Sequence, residues 1–388
     1  MPDPFSEQTC GTRHVLMPVT CCSPMPEAMI IGAGPAGSLA AFILARAGWN
    51  VTLVEQHTFP RDKVCGECLS ALGISVLRRA GLTNRLLTAH PVPLTHTSLH
   101  SPTGAFVRIE LEQTMWGLSR FSLDTQLRNA AVEAGAQIKQ PARCESISPG
   151  QPPDVILRDL QTNQRQTYQP NLVLLADGKC ALTPVRPIPT SDFGIKAHFV
   201  NVDAPADTIE LFSVDGHYGG VAPIENQRWN AAFSIPLARL QNAAGDLDHL
   251  FNQVLRENME LRRQFASARR VSDWLTAPLP RFAVSDQWPE GIIPLGNAAA
   301  ALEPIGGEGM GLALRSAELA ANALLSESFS RSALRADYRT LWRIRRRACR
   351  AAAQILSSPR FADPTVEFLS SNESLGRLAL RLIGKSAD

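Results

Sequence analysis

The sequence MIIGAGPAG, from Met29 to Gly37, places a short apolar segment directly before three glycines spaced as G-x-G-x-x-G. We expect Gly32 to allow a tight turn after a strand, and Gly34 to let a pyrophosphate approach the backbone. Gly37 would let the following helix, Pro35 to Ala47, pack closely on the strand. The unpaired N–H groups that open such a helix attract phosphate. The stretch therefore predicts a strand, a turn and a helix that bind a dinucleotide.

A second apolar strand, Val51 to Val54, runs directly into Glu55. A carboxylate at this distance from the glycines accepts hydrogen bonds from an adenosine ribose. A strand–helix turn without any ligand could also contain three glycines. The agreement of strand, turn, helix, second strand and acid favours the dinucleotide interpretation.

Two later segments complete this pattern. One is LVLLADG, Leu172 to Gly178, an apolar strand that ends at Asp177 and Gly178. The other is IIPLGNAA, Ile292 to Ala299, followed by PIGGEG at Pro304 to Gly309. Asp-Gly is also a common turn pair in proteins without a ligand. Together with the first segment, the three predict one site that encloses a flavin dinucleotide.

Composition limits the alternatives. The chain has 388 residues, 45% of them hydrophobic and 19% charged, and a net charge of +2. That length exceeds one typical core and predicts two joined domains, while the charge gives no reason to expect nucleic acid. Eight scattered cysteines favour a reducing, cytoplasmic location. Cys65 and Cys68 form a C-x-x-C pair without a second ligand pair, so we expect no metal and single out Cys65.

The order of predicted elements indicates an α/β chain, α+β overall. We expect a Rossmann-type FAD-binding domain with an inserted, mainly antiparallel β-sheet substrate domain, and a helical C-terminus. Ser122 is predicted to cap a helix that runs to Ala134, and another helix is expected from Asp246 to Gln264. The predicted parts are a disordered tail at 1–27, an FAD-binding domain at 28–90, 116–189 and 286–332, a substrate domain at 91–115 and 190–285, and a helical region at 333–388.

Three motifs resemble a known family. Phe59 to Glu67, FPRDKVCGE, is similar to the PRxKxCGxG loop of geranylgeranyl reductase-like flavoproteins, which belong to the p-hydroxybenzoate hydroxylase-like group. Pro304 to Met310 resembles their PxxGEGI loop, and Gly117 to Asp124 resembles their helix start. The resemblance implies non-covalent FAD. The FAD-binding residues that it and the glycine motif indicate are Gly32, Gly34, Pro35, Ala36, Gly37, Glu55, Arg61, Arg120, Asp177, Gly178, Gly296, Asn297, Pro304, Gly307, Glu308 and Gly309.

The same resemblance implies an FAD-dependent oxidoreductase acting on a hydrophobic, polyketide- or isoprenoid-like small molecule. The first hypothesis is a reductase or dehydrogenase that transfers hydride through flavin N5, with NAD(P)H or a separate reductase as electron donor and Cys65 facing the substrate. A second is a monooxygenase that hydroxylates an aromatic or enolic substrate through a C4a-hydroperoxide. A third is a flavin-binding protein without turnover, because Asn297 replaces the family's aspartate. Halogenation is disfavoured because no two tryptophans are two positions apart.

The last segment is basic and amphipathic. Leu375, Leu378, Leu382 and Ile383 form an apolar stripe beside Arg377, Arg381 and Lys385, and five arginines crowd the stretch 343–350. Such a segment either lies in a lipid interface or packs on the FAD domain with a solvated cationic face. Peripheral membrane contact is therefore one of two expectations for this region.

Overall fold

The computed structural model describes residues 25–178, 182, 192–280, 282, 284, 285 and 288–385. Most of the predicted tail, residues 1–24, therefore lies outside the described residues. The strands are β1 (Glu27–Ile31), β2 (Asn50–Val54), β3 (Cys68–Leu69), β4 (Val92–His100), β5 (Phe106–Gly117), β6 (Gln137–Lys139), β7 (Ala142–Ser148), β8 (Asp154–Asp159), β9 (Arg165–Tyr168), β10 (Leu172–Leu175), β11 (Asp192–Val200), β12 (Thr208–Val214), β13 (His217–Ile224), β14 (Arg228–Pro236), β15 (Arg269–Arg270), β16 (Leu275–Pro278) and β17 (Ile292–Pro294).

Helices connect and cover these strands. They are α1 (Pro35–Arg46), α2 (Ala71–Arg79), α3 (Thr83–Leu87), α4 (Arg120–Glu133), α5 (Leu237–Asn242), α6 (Leu247–Arg256), α7 (Met259–Gln264), α8 (Gly309–Leu325), α9 (Arg331–Leu356), α10 (Pro359–Ser370) and α11 (Glu373–Leu382).

A parallel five-stranded sheet, in the order β17-β10-β1-β2-β6, forms the first layer. Successive side chains of β1 point to opposite faces. Ala28 and Ile30 join the core on one side, where α1, α4 and α8 also contribute. Met29 and Ile31 join a second core with the three-stranded sheet β7-β8-β9. Because both faces are buried, these strands read as continuous apolar runs.

A nine-stranded, mostly antiparallel sheet forms the second layer. Its main path runs β15-β11-β14-β13-β12-β4-β5-β3, and β16 pairs with β11. One face packs on α6 and α7 through an aromatic core that includes Phe199, Phe251 and Phe265. The other face is turned toward the carboxyl ends of the parallel strands and toward the C-terminal helices. The predicted α/β fold class is confirmed, and a cleft separates the two layers.

Two predicted helix boundaries are wrong, for identifiable reasons. The N-cap of α4 is Ser119, whose hydroxyl accepts from the amide of Ser122, so the helix begins at Arg120. The predicted helix from Asp246 to Gln264 is interrupted at Asn258. The buried Asn258 amide donates to backbone carbonyls of the sheet while its oxygen caps α7. Both cases are local capping choices between nearby polar residues.

The C-terminal helices pack on the sheet at β5 and leave an apolar surface exposed. We define the C-terminal apolar patch by its members, whose exposed fractions lie between 42% and 63%. They are Phe361, Phe368, Leu375, Leu378 and Leu382. Ile383, which was predicted for the stripe, and Lys385, which was predicted beside it, are both buried and do not belong to this surface. Within the described part of the chain, no helix combines the length and the apolar character needed to cross a membrane.

Candidate functional site

The glycine turn opens the cleft at the end of β1. Gly32 has a φ of +102°, and a Cβ there would lie 2.4 Å from the carbonyl oxygen of Ala176. A Cβ at Gly37 would lie 1.8 Å from the carbonyl oxygen of Gly32, so this glycine permits the contact of α1 with the turn. Gly34 differs from both. Its φ is −72°, and the nearest protein atom to an added Cβ is Nη2 of Arg120 at 3.8 Å. The space beside Gly34 is therefore open toward the cleft.

The start of α1 presents its backbone donors to that space. No side chain caps the helix, and Pro35 takes the first position, where a missing N–H has no consequence. The start of α8, which borders the same cleft through Gly309, also has no side-chain cap. Two helix N-termini thus direct partial positive charge into one cleft, which favours an anionic ligand.

Glu55 lies behind the glycine turn. One of its carboxylate oxygens accepts from the amide of Ala33 at 3.0 Å, and the other accepts from the amide of His57 at 2.8 Å. A carboxylate offers about four lone-pair sites, so acceptor capacity remains for a ribose hydroxyl. Arg61 lies 3.8 Å from this carboxylate.

Arg61 and Arg120 converge on Asp124, a residue that the sequence analysis did not single out. The Arg120 guanidinium donates to both oxygens of Asp124, at 2.7 and 2.6 Å, and Arg61 lies 3.4 Å from it. Burial lowers the pKa of Arg61, and nearby Arg120 adds to that effect, although both carboxylates oppose it. Among the described residues, Nε of Arg61 has no hydrogen-bond partner. This buried donor is suited to an oxygen-rich ligand.

The later segments reach the same cleft. Gly178, Asn297 and Gly307 line it, and Gly178 and Gly307 adopt positive φ angles of +71° and +69°. The predicted residues that line the cleft are Gly34, Pro35, Ala36, Cys65, Arg120, Gly178, Gly296, Asn297, Pro304, Gly307 and Gly309. The predicted residues that lie behind this lining are Gly32, Gly37, Glu55, Arg61, Asp177 and Glu308.

Glu308 is the predicted residue whose position differs most from the expectation. Its side chain packs against the C-terminal turn, since a Cβ at Gly384 would lie 2.5 Å from Cγ of Glu308. The helix N-terminus that follows it still faces the cleft through Gly309. The backbone of this loop, and not the glutamate side chain, therefore lines the wall.

The wall that faces the glycine turn is formed by small residues of the nine-stranded sheet. Gly194, Gly220, Ala222 and Ala232 line the cleft, and their short side chains leave room above the sheet. Apolar side chains from this sheet and from the start of α8 add to the lining, and the cleft has a volume of about 1620 Å³ including its open mouth. The apolar side chains are Ile209, Leu211, Leu279, Ile305 and Met310.

Tyr218 provides a polar group on this apolar wall. Its hydroxyl donates to Oε2 of Glu303 at 3.1 Å. Burial raises the pKa of Tyr218 well above its ordinary value, and burial likewise raises the pKa of Glu303. The phenol therefore keeps its proton at neutral pH. The alternating strand pattern carried no signal that would separate Tyr218 from a core tyrosine.

Glu67, which borders the cleft, is the centre of a buried charged cluster. Its Oε1 accepts from Nζ of Lys196 at 2.7 Å and from the amide of Arg120 at 2.8 Å. Its Oε2 lies 2.7 Å from Nε2 of His198, and Lys196 also donates to Asp62 at 2.8 Å. The cluster ties the loop before β3 to the sheet and to the start of α4.

The cluster also tests the expectation that no metal is bound. Ligand atoms of Asp62, Glu67 and His198 lie within 4.8 Å of one another, a spacing that could hold an ion. The Lys196 ammonium already donates to both carboxylates. It supplies the positive charge that a cation would otherwise provide, so the geometry favours a structural role.

Cys65 and Cys68 have different environments. Cys65 is half-buried, lines the cleft and contacts the Arg120 guanidinium. Cys68 is buried, and burial raises its pKa to about 12. Both are free thiols. Cys68 is therefore an unreactive thiol, and Cys65 keeps the cleft-facing position that the sequence predicted.

The family model described as an FAD binding domain matches residues 25–340. This chain belongs to that family. The residues described above fit the cofactor: the open space at Gly34, two uncapped helix N-termini and the unpartnered Nε of Arg61 all suit a pyrophosphate-bearing ligand. The chain is thus an FAD-dependent oxidoreductase.

Similar proteins agree with the resemblance. A menaquinone reductase of Mycolicibacterium smegmatis is 26% identical over 400 residues, which covers 92% of this chain and 91% of the relative. A geranylgeranyl diphosphate reductase of Rhodobacter capsulatus is 33% identical over 153 residues, covering 39% and 37%. A solved geranylgeranyl bacteriochlorophyll reductase-like structure from Thermoplasma acidophilum aligns with a TM-score of 0.74 at 18% identity, covering 93% and 97%. The chain is also similar to a brominase of Pseudoalteromonas luteoviolacea and to a kynurenine 3-monooxygenase of Stenotrophomonas maltophilia, so these similarities leave the reaction open.

Asn297 allows a direct test of the third segment. Changing Asn297 to Asp restores the residue that the resemblance implies, and the side chain already lines the cleft. We expect FAD affinity to be retained or raised, because the two side chains have the same shape and Asp adds acceptor capacity. Titration of the apoprotein with FAD, followed by flavin fluorescence, measures this. Loss of binding in this variant would place the third segment away from the cofactor.

Proposed function

We propose that the protein is a reductase of a hydrophobic, isoprenoid- or polyketide-like small molecule. When bound, FAD supplies hydride transfer through its N5 atom. The observation that carries the proposal is the single cleft, which joins the uncapped start of α1 to the apolar wall of the nine-stranded sheet. A cofactor along the first wall would lie directly beside a substrate on the second.

In this proposal, the amides at the start of α1 and the space at Gly34 would receive the pyrophosphate, and Glu55 would receive the adenosine ribose. Gly307 and Gly309 would border the isoalloxazine ring, where the start of α8 would stabilise negative charge on the reduced flavin. The other predicted residues would support these contacts. The electron donor is NAD(P)H or a separate reductase.

Reduction is favoured over hydroxylation by the extent of the similarities. The resemblance to a menaquinone reductase spans 92% of this chain, and it includes the substrate-facing sheet. The similarity to a kynurenine 3-monooxygenase spans only 30% of this chain. The apolar wall also suits a hydrocarbon-rich substrate better than a small charged one.

Anaerobic turnover distinguishes the three hypotheses. The holoenzyme is mixed with NADPH under argon, then with an isoprenoid quinone or a prenyl diphosphate, and finally with oxygen. Product that carries two added hydrogens supports reduction. Product that contains oxygen derived from O₂ supports the monooxygenase instead. Flavin that no donor reduces, dithionite included, leaves a binding protein without turnover.

Tyr218 is the proposed proton source. Hydride addition to a double bond requires a proton on the adjacent carbon, and Tyr218 lines the cleft while its hydroxyl donates to Glu303. We expect Tyr218→Phe to lower kcat about 100-fold, a typical contribution of one general acid. FAD content and thermal stability should not change. Pre-steady-state reduction of the substrate measures the effect, and a loss of less than about threefold would assign the proton to another group.

The C-terminal apolar patch supports peripheral contact with an anionic lipid surface. Arg377 and Arg381 on the same helix supply positive charge beside it. We expect the protein to co-sediment with phosphatidylglycerol vesicles at low salt, and the Phe368→Glu/Leu378→Glu variant to bind at least fivefold less. Phosphatidylcholine vesicles serve as the neutral control. Absence of binding at low salt would assign the patch to another role.

A further inference from the structure

Lys385 is a buried cation at the end of the cleft. It follows α11, its exposed fraction is 2%, and it lines the same cleft as Gly307 and Ile209. Its Nζ donates to Oγ1 of Thr97 at 3.1 Å, the single hydrogen bond that this ammonium makes within the described residues. An ammonium carries three donors. Two of them are therefore available to a molecule in the cleft.

The backbone holds this lysine in place. Gly384 has a φ of +94°, and a Cβ there would lie 2.5 Å from Cγ of Glu308. A Cβ at Gly306 would lie 2.4 Å from the carbonyl oxygen of Ile383. The Lys385 amide donates to the carbonyl of Leu380 at 2.9 Å. This turn packs tightly against the loop that precedes α8, which fixes the backbone from which the Lys385 side chain enters the cleft.

The register of the sheet places Lys385 and Tyr218 at opposite ends of the apolar wall. Thr97, the partner of Lys385, is opposite Ile209 in the β4–β12 pair. Glu210 is opposite Val221, which puts Ile209 beside Ala222. Ala222 and Tyr218 are four residues apart on one strand, or about 13 Å at roughly 3.3 Å per residue. An apolar strip about 13 Å long therefore has Lys385 near one end and Tyr218 at the other.

A buried ammonium without an ion pair is unfavourable unless it serves a ligand. Burial lowers the pKa of Lys385 to about 8, and nearby Cys68, Glu308 and Cys349 oppose that effect only in part. Oxygen ligands that accept from the two free donors would restore the interactions lost on desolvation. Buried, strongly perturbed cations in a cleft are typical of ligand sites.

We propose that Lys385 binds a carbonyl or ionised oxygen of the substrate, while the hydrocarbon part lies along the apolar strip toward Tyr218. The substrate class is thereby an amphiphile with an oxygen at one end, such as a quinone or a prenylated carbonyl compound. That the bound molecule is also the one reduced rests on the proposed function, whereas oxygen recognition does not.

The test is a binding experiment on oxidised holoenzyme, which needs no turnover. The probes are 2,3-dimethyl-1,4-naphthoquinone and its oxygen-free counterpart 2,3-dimethylnaphthalene, and the signal is the change in flavin absorbance. Lys385→Met retains the length and removes the charge. We expect it to weaken quinone binding at least tenfold and to leave hydrocarbon binding within twofold. FAD content should equal that of the wild type.

Two further variants sharpen the experiment. Arg377→Met removes an exposed cation from α11, the helix that precedes Lys385, and it should bind both probes as the wild type does. Gly384→Ala leaves Lys385 intact but clashes with Glu308, so it should weaken quinone binding by displacing the ammonium.

Unchanged quinone binding in Lys385→Met, or equal losses for both probes, overturns the proposal. So does a wild type that binds the quinone no better than the hydrocarbon. Failure of turnover with intact quinone selectivity would instead contradict only the proposed function.

Discussion

Replacement of Gly34 by valine is expected to give a folded but colourless protein. The position is extended, with a φ of −72°, so a β-branched residue fits the backbone without strain. The added side chain enters the open space beside Arg120, where the pyrophosphate is proposed to lie. FAD is measured by absorbance of the purified protein and by the flavin that acid releases into the supernatant. All bound flavin should be released, since we expect no covalent attachment.

Gly37→Ala is the matched control. A Cβ at Gly37 would lie 1.8 Å from the carbonyl oxygen of Gly32, so that variant should lose the fold itself, with low solubility and an early thermal transition. The contrast separates a glycine that serves the cofactor from one that serves packing. Stoichiometric FAD in folded Gly34→Val would show that the pyrophosphate lies elsewhere.

Lys196→Met is expected to lower stability strongly while the protein still folds. Its ammonium is the cation that donates to the carboxylates of Glu67 and Asp62, and the Lys196 and Glu67 side chains are only 1% and 0% exposed. Removal of one partner leaves buried charge uncompensated, which costs about 3–5 kcal/mol of unfolding free energy. Urea unfolding followed by circular dichroism measures the loss. Arg381→Met, which breaks the exposed pair with Glu112, should cost less than about 1 kcal/mol.

The double variant Lys196→Met/Glu67→Gln tests the mechanism of that loss. With the carboxylate neutralised, about 1–3 kcal/mol should be recovered relative to Lys196→Met alone, because coupled neighbours are not additive. A double variant no more stable than Lys196→Met would mean that the lysine acts through packing of its stem and not through its charge.

Local sequence rules predicted the nucleotide-binding half well. The strand, glycine turn and helix from Glu27 to Arg46 depend on near-neighbour geometry, and the apolar runs of β10 and β17 are typical of buried parallel strands. The fold class, the FAD-dependent chemistry and the family are confirmed. The residue-level roles remain predictions.

The residues that the sequence did not reveal are those whose roles depend on distant partners. Asp124 pairs with Arg61, 63 positions earlier, and Glu67 pairs with Lys196 of β11, 129 positions later. Lys385 had the local pattern of a solvated helix face, yet the turn at Gly384 directs it inward. Helical periodicity describes a helix interior and does not continue past its last turn, so it could not predict this.

The strand order of the parallel sheet also affects how the chain is made. β1 pairs with β2 soon after synthesis, but its other edge pairs with β10, where Ala28 lies opposite Leu172. At about 5–20 residues per second, roughly 7–30 s pass before that partner emerges from the ribosome. During this interval the nascent chain carries an apolar, unpaired strand edge, the kind of surface that chaperones bind and that promotes aggregation. Co-expression of a chaperone that binds nascent chains should therefore raise the yield of folded protein.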